Sequence, residues 1–103
     1  MIRNERDIKK AIELYLKSRG HLVIPQRTTG IYVGKQKGWI PARRKGISDL
    51  IVCTKEGKFV AIEIKVPGGK RSIEQEQFID DVNLHNGLAF FAECIDDVMK
   101  VGL

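Results

Sequence analysis

Ile8, Ala11, Ile12, Tyr15 and Leu16 recur at helical spacing and predict one apolar helix face between Asn4 and Gly20. Asn4 suits an N-cap and Gly20 a C-terminal stop. Glu5 continues the apolar stripe one turn earlier and looks towards the rim of the core. Its place in the first turn also suits the helix dipole. Glu13 falls off the stripe, four residues before Lys17, the favourable order for an exposed ion pair. Leu22 to Gln26 is a short apolar run that leaves its strand at Pro25. Thr28 to Gly46 is rich in glycine and cations, with Ile31, Val33, Trp39 and Ile40 as material for a hairpin. Trp39 is expected to pack under this segment rather than stack on a base.

Two strands follow, Asp49 to Thr54 and Phe59 to Val66, joined by a turn over Lys55-Glu56-Gly57-Lys58. With the turn centred near position 56, Asp49 falls opposite a residue near 63. Ser72-Ile73-Glu74-Gln75 has the form of a capping box and predicts a helix to about His85, with Phe78, Ile79 and Val82 on its apolar face and Asn86-Gly87 at its end. Leu88 to Glu93 is the last strand, and Ile95 to Val101 a closing helix with Asp96 or Asp97 near its start. The order is α-β-β-β-α-β-α with the basic segment after the first strand. It predicts an α/β (α+β) fold, a mixed β-sheet flanked by helices.

The second of the paired strands contains an anomaly. Phe59-Val60-Ala61-Ile62-Glu63-Ile64-Lys65-Val66 is apolar except for one acid and one lysine. Side chains alternate along a strand, so Glu63 and Lys65 share a face, about 7 Å apart along its axis. A charge in such surroundings must be paired or bound to a metal. It is either a structural ion pair or a site. The hairpin register brings Asp49 to the same end of the sheet, so that Asp49, Glu63 and Lys65 converge. Two carboxylates with the Ile64 backbone carbonyl suit a hard cation such as Mg²⁺, which takes oxygen ligands together with waters and phosphate oxygens. Lys65 could then hold an attacking water, act as a base or neutralise charge on a phosphate. Glu5 could reach a metal-bound water, and Gln75 could orient Lys65 or the water beyond its capping role.

The 103 residues suit one domain spanning residues 1–103, and 43% hydrophobic with 30% charged residues is an ordinary globular mixture. No apolar run approaches the roughly 20 residues of a membrane span, and the polar N-terminus does not read as a signal peptide. These features point to a cytoplasmic protein. Cys53 and Cys94 lie in apolar runs without zinc-ligand spacing and are expected to be buried thiols. His21 and His85 stand at element ends as surface or capping residues. The net charge is +5. Between His21 and Ser48 there is no acid, while Arg27, Lys35, Lys37, Arg43, Arg44 and Lys45 all fall there. This is a footprint suited to nucleic-acid phosphate, extended by Lys70 and Arg71.

The ordered set Gly46-Ile47-Ser48-Asp49, a hairpin, Glu63-Ile64-Lys65, Pro67-Gly68-Gly69 and Ser72-Ile73-Glu74-Gln75 resembles the virus-type replication-repair nuclease (VRR-NUC) domain of the PD-(D/E)xK superfamily. Leu88 to Ala92 with Asp96-Asp97-Val98, and the opening helix with Glu5, are similar to that family as well. The resemblance implies a restriction-endonuclease-like fold and a Mg²⁺- or Mn²⁺-dependent phosphodiesterase that cuts DNA. It implies Asp49 and Glu63 as metal ligands, Lys65 as catalytic lysine, Glu5 as the first-helix acid and Gln75 as the second-helix glutamine. Ser48 stands where the superfamily's name has proline. Short members of the family look like phage or bacterial proteins and resemble homodimeric enzymes acting on branched DNA such as four-way junctions. A non-catalytic nucleic-acid-binding module of the same fold is the alternative. A sequence-specific restriction enzyme would need recognition elements for which this chain has little room.

Overall fold

The computed structural model of the chain describes residues 4–26, 31–32, 39–40 and 47–103, and only the backbone at 31–32 and 39–40. Helix α1 (Glu5–Ser18) begins at Asn4, whose side chain accepts a hydrogen bond from the Asp7 amide at 2.8 Å. It is followed by β1 (Leu22–Pro25), β2 (Ile31–Tyr32), β3 (Trp39–Ile40), β4 (Leu50–Cys53), β5 (Phe59–Ile64), α2 (Ile73–Leu84), β6 (Leu88–Ala92) and α3 (Ile95–Met99). Four strands form one sheet in the order β1-β4-β5-β6, antiparallel except for the β5–β6 pair. The β2–β3 pair is the hairpin expected within the basic segment, with Ile31 opposite Ile40 and Tyr32 opposite Trp39. The packing expected of the Trp39 side chain lies outside the described residues. Among the described residues no helix is long and apolar enough to cross a membrane.

Alternation along the strands sorts side chains into two cores. On one face Ile8, Ile12 and Leu16 of α1 meet Leu50, Val52, Val60, Ile62 and Ile64, together with Val98 of α3. The helical stripe read from the sequence is this buried face, and Glu13 pairs outside it with Lys17 at 3.1 Å. On the other face Phe78, Ile79 and Val82 of α2 pack on Ala61 and Ala89, with Ile47, Ile51 and Phe91 beside them. Small residues on β5 and β6 let the helix approach. Asn83 then bridges it to β6, its side chain exchanging hydrogen bonds with both backbone groups of Ala89 at 3.0 and 2.9 Å.

This second face is only partly covered. Helix α2 lies over β5 and β6, and the row Leu22–Cys53–Phe59 at the turn end of the sheet stays exposed. The expectation of buried thiols is therefore corrected: Cys53 sits in that uncovered row, and Cys94 is the exposed residue that opens α3. The histidines behave as expected. His85 closes α2, its Nδ1 2.7 Å from the Asp81 carbonyl oxygen, and His21 Nδ1 accepts from the Lys55 amide at 3.1 Å.

The turn from α2 to β6 depends on close approach at Gly87. A Cβ there would lie 2.7 Å from Val82 Cγ1 and 3.3 Å from the Phe59 carbonyl oxygen. Gly87→Ala is expected to destabilise the protein by about 1–3 kcal/mol, as overpacking does. Chemical denaturation read by circular dichroism checks it, and an unchanged midpoint would show that the turn yields without cost.

Candidate active site

The β4–β5 register places Leu50 opposite Ile62. One step further along the hairpin brings Asp49 opposite Glu63, on the face that carries α2. Lys65 lies two residues beyond Glu63 on that same face, and its amide still donates to the Ala92 carbonyl oxygen at 2.9 Å. All three side chains belong to buried residues, with Asp49 7%, Glu63 3% and Lys65 9% exposed. The convergence expected from the hairpin is present.

Backbone and side chain interlock here. Strand β4 begins at Leu50, and Asp49 just outside it accepts the Ile64 amide through Oδ2 at 2.9 Å. The Asp49 carbonyl oxygen in turn accepts the Gln26 amide at 2.8 Å. Within a strand the N–H and C=O of one residue point to the same side. The Ile64 carbonyl therefore faces the strand that carries Asp49.

Gln75 joins α2 to the same group. Its Oε1 accepts the Ser72 amide at 3.0 Å, and its own amide donates to Ser72 Oγ at 3.1 Å, which completes the capping box. Its Nε2 donates to Glu63 Oε2 at 2.9 Å. The sequence left open whether Gln75 orients Lys65 or a water; in the structure it holds Glu63. The other oxygen, Glu63 Oε1, is buried without a hydrogen-bond partner among the described residues, and so is Ser48 Oγ next to Asp49.

These surroundings push the Glu63 carboxyl up to about 8. Burial contributes most, followed by the close approach of the Asp49 carboxylate. Lys65 pulls the other way, and Glu5 adds a smaller upward push. Lys65 forms no ion pair with Glu63, so the purely structural salt bridge is not what the lysine makes among the described residues.

Two buried carboxylates with one oxygen unsatisfied call for a shared proton or a cation. The donors are hard oxygens from Asp49, Glu63 and the Ile64 carbonyl. Among the described residues no cluster of three or more His, Cys, Asp or Glu side chains is placed to bind a metal. The set thus lacks the closed ligand shell of a structural zinc site. It fits an ion that keeps several positions for water or substrate oxygens.

The remaining expected residues are more scattered. Glu5 opens α1 one turn before buried Ile8 and is exposed, and it acts on Glu63 through its charge. Lys70 and Arg71 are exposed in the loop between Lys65 and α2. Arg27, Lys35, Lys37, Arg43, Arg44 and Lys45 lie outside the described residues. The sequence reading did not single out Phe91, which stands beside Glu63 in the β5–β6 register with the Arg71 guanidinium 4.0 Å above its ring. The pair of aromatics Phe90-Phe91 was visible in the sequence, but which of them faces α2 was not.

Glu63 makes stability depend on pH. Its carboxyl in the folded chain titrates near 8 against an ordinary 4.5. Between those values the folded state holds a proton that the unfolded state has lost, so stability falls as pH rises through that window. In EDTA the melting temperature of wild type is expected to drop more between pH 5 and pH 8 than that of Glu63→Gln. Parallel slopes in thermal melts would contradict the assignment.

The family model for the VRR-NUC domain matches residues 32–94, which include Asp49, Glu63, Lys65 and Gln75. No curated protein matches the sequence significantly. A solved structure described as a VRR_NUC domain superposes with a TM-score of 0.68 over 94% of this chain and 91% of that one, at 18% identity. At that identity the likeness shows the fold. The restriction-endonuclease-like arrangement of sheet and helices is shared, and with the family model spanning most of the chain, this protein belongs to the VRR-NUC family of nuclease-type domains.

Proposed function

We propose that the chain is a metal-dependent DNA endonuclease that hydrolyses phosphodiester bonds. The observation that carries this reading is the buried Asp49–Glu63 pair with Glu63 Oε1 left unsatisfied and Lys65 on the same face. Binding DNA alone needs no buried pair of acids. Asp49, Glu63 and the Ile64 carbonyl would hold Mg²⁺ or Mn²⁺, and Glu5 would act through a water at its edge. Such an ion, when bound, lowers the pKa of a bound water and withdraws charge from the phosphate.

The chain's own residues do the rest. Asp49 fixes the end of β5 through the Ile64 amide, which sets the spacing of Glu63 and Lys65. Gln75 directs one oxygen of Glu63 towards α2 and leaves the other for the ion. The Lys65 ammonium, free of an ion pair among the described residues, stabilises negative charge that builds on the phosphate or holds the attacking water. The overall charge of +5 and the acid-free basic span of the sequence favour association with DNA. Branched DNA, such as a four-way junction, is the proposed substrate. A homodimer would supply two sites related by twofold symmetry for paired nicks.

Cleavage of labelled junction, flap and linear duplex DNA in Mg²⁺, Mn²⁺ or EDTA tests the proposal. Wild type is expected to cut in the presence of either ion and to be inactive in EDTA, with the junction cut fastest. Lys65→Ala should retain DNA affinity and lose about 10²–10⁴-fold in rate. Cleavage by that variant at the wild-type rate would remove Lys65 from the mechanism, and a wild type that binds DNA without cutting any form would leave a binding module. Gln75→Glu keeps the capping box but replaces the donor to Glu63 with a second carboxylate. In EDTA it should lower the stability by about 1–3 kcal/mol, because a buried donor is lost and a like charge faces Glu63, and the misdirected Glu63 should reduce activity about 10–100-fold. Chemical denaturation and the cleavage assay read the two effects.

A further inference from the structure

The β5–β6 pairing is parallel and puts Phe91 opposite Glu63. Both face α2, since Phe91 packs against the cluster that contains Ala61, Phe78 and Ala89. Asp49, Glu63 and Phe91 therefore form one row across three adjacent strands, each about 4.8 Å from the next. Arg71 reaches this row from the loop just before α2. Its guanidinium carbon lies 4.0 Å from the centre of the Phe91 ring.

A stacked guanidinium uses its flat face, and its N–H donors remain in the plane at the edges. Among the described residues no ion pair joins Arg71 to an acid. The cation is exposed, seated over an aromatic ring and without an ion pair among the described residues, one strand away from Glu63. Ordinary surface arginines are not held this way, because they have no partner that fixes the plane of the guanidinium.

We propose that Phe91 is a positioning residue that holds Arg71 as the ligand of a backbone phosphate flanking the one cleaved. This rests on the DNA-cleaving reading of the site. Two edge donors of the guanidinium bond two oxygens of that phosphate, and the strand is registered so that the neighbouring phosphodiester lies over Asp49 and Glu63. The ring supplies orientation and touches no reacting atom.

Fluorescence anisotropy of a labelled DNA duplex in EDTA, over a series of salt concentrations, tests the proposal without cleavage. Arg71→Ala is expected to weaken binding about tenfold, the loss of a charge-assisted hydrogen-bonded contact, and to reduce the salt slope by about 0.9, one phosphate's worth. Phe91→Leu should weaken binding about two- to fivefold, and Phe91→Tyr, which keeps the ring, should restore it. The double variant Phe91→Leu with Arg71→Ala should bind no worse than Arg71→Ala alone. Additive losses would mean that Phe91 acts on the fold rather than through Arg71, and would overturn the proposal. Arg71→Lys does not touch the core and decides the matter even where Phe91→Leu unfolds. It keeps the charge without the planar stack, so it should retain the salt slope and lose affinity about two- to fivefold. Wild-type affinity in Arg71→Lys would also overturn the proposal. A wild type that binds neither duplex nor four-way junction at low salt sinks the underlying DNA reading as well, whereas normal wild-type binding with indifferent variants sinks this inference alone.

Discussion

The Asp49 carboxylate takes the Ile64 amide at the point where β4 has not yet begun, and the other features of the site follow from that hydrogen bond. An amide at the end of a buried strand needs an acceptor, because an unsatisfied one costs about 1–3 kcal/mol. Supplying the acceptor from a side chain keeps the acid in place beside Glu63. Glu63 then stands beside a charge of its own sign, in a strand enclosed by apolar neighbours. Lys65 offsets part of that repulsion from a distance, without closing an ion pair. The result is a strand whose end is well ordered and electrostatically unsatisfied, a condition that a proton or a divalent ion relieves.

The two faces of the sheet divide the work. One is filled by α1 and α3 on Leu50, Val52, Val60, Ile62 and Ile64, residues that are almost wholly buried. Its burial anchors β4 and β5 in one register and leaves the alternate positions to be chosen for other reasons. On the other face α2 rests on small residues over β5 and β6, and its first turn arrives beside Glu63. The acids therefore sit at the end of the hairpin away from its turn, buried beside the first turn of α2.

Much of this was legible in the chain because it is local. Asn4 and the Ser72–Gln75 capping box mark helix starts by hydrogen bonds that span three residues. The turn at Glu56-Gly57 fixes the antiparallel register, so that Asp49 and Glu63 had to meet. What was not legible depends on longer paths. The parallel register of β5 and β6 is set by how α2 crosses between them, so the sequence did not say that Phe91 rather than Phe90 would flank Glu63. The exposure of Cys53 follows from how far α2 extends over the sheet, which an apolar strand pattern does not reveal. Ser48 reads in sequence as a replaced proline; its burial with an unpartnered hydroxyl emerges only once the strand ends are packed.

Gln75 uses one end of its amide to stop a helix from fraying and the other to aim a carboxylate. Those two tasks are normally assigned to separate side chains, and fusing them ties local melting to ligand geometry. When the first turn of α2 opens, Glu63 loses its guide in the same instant, so the aim of that carboxylate is only as durable as the last few hydrogen bonds at a helix end.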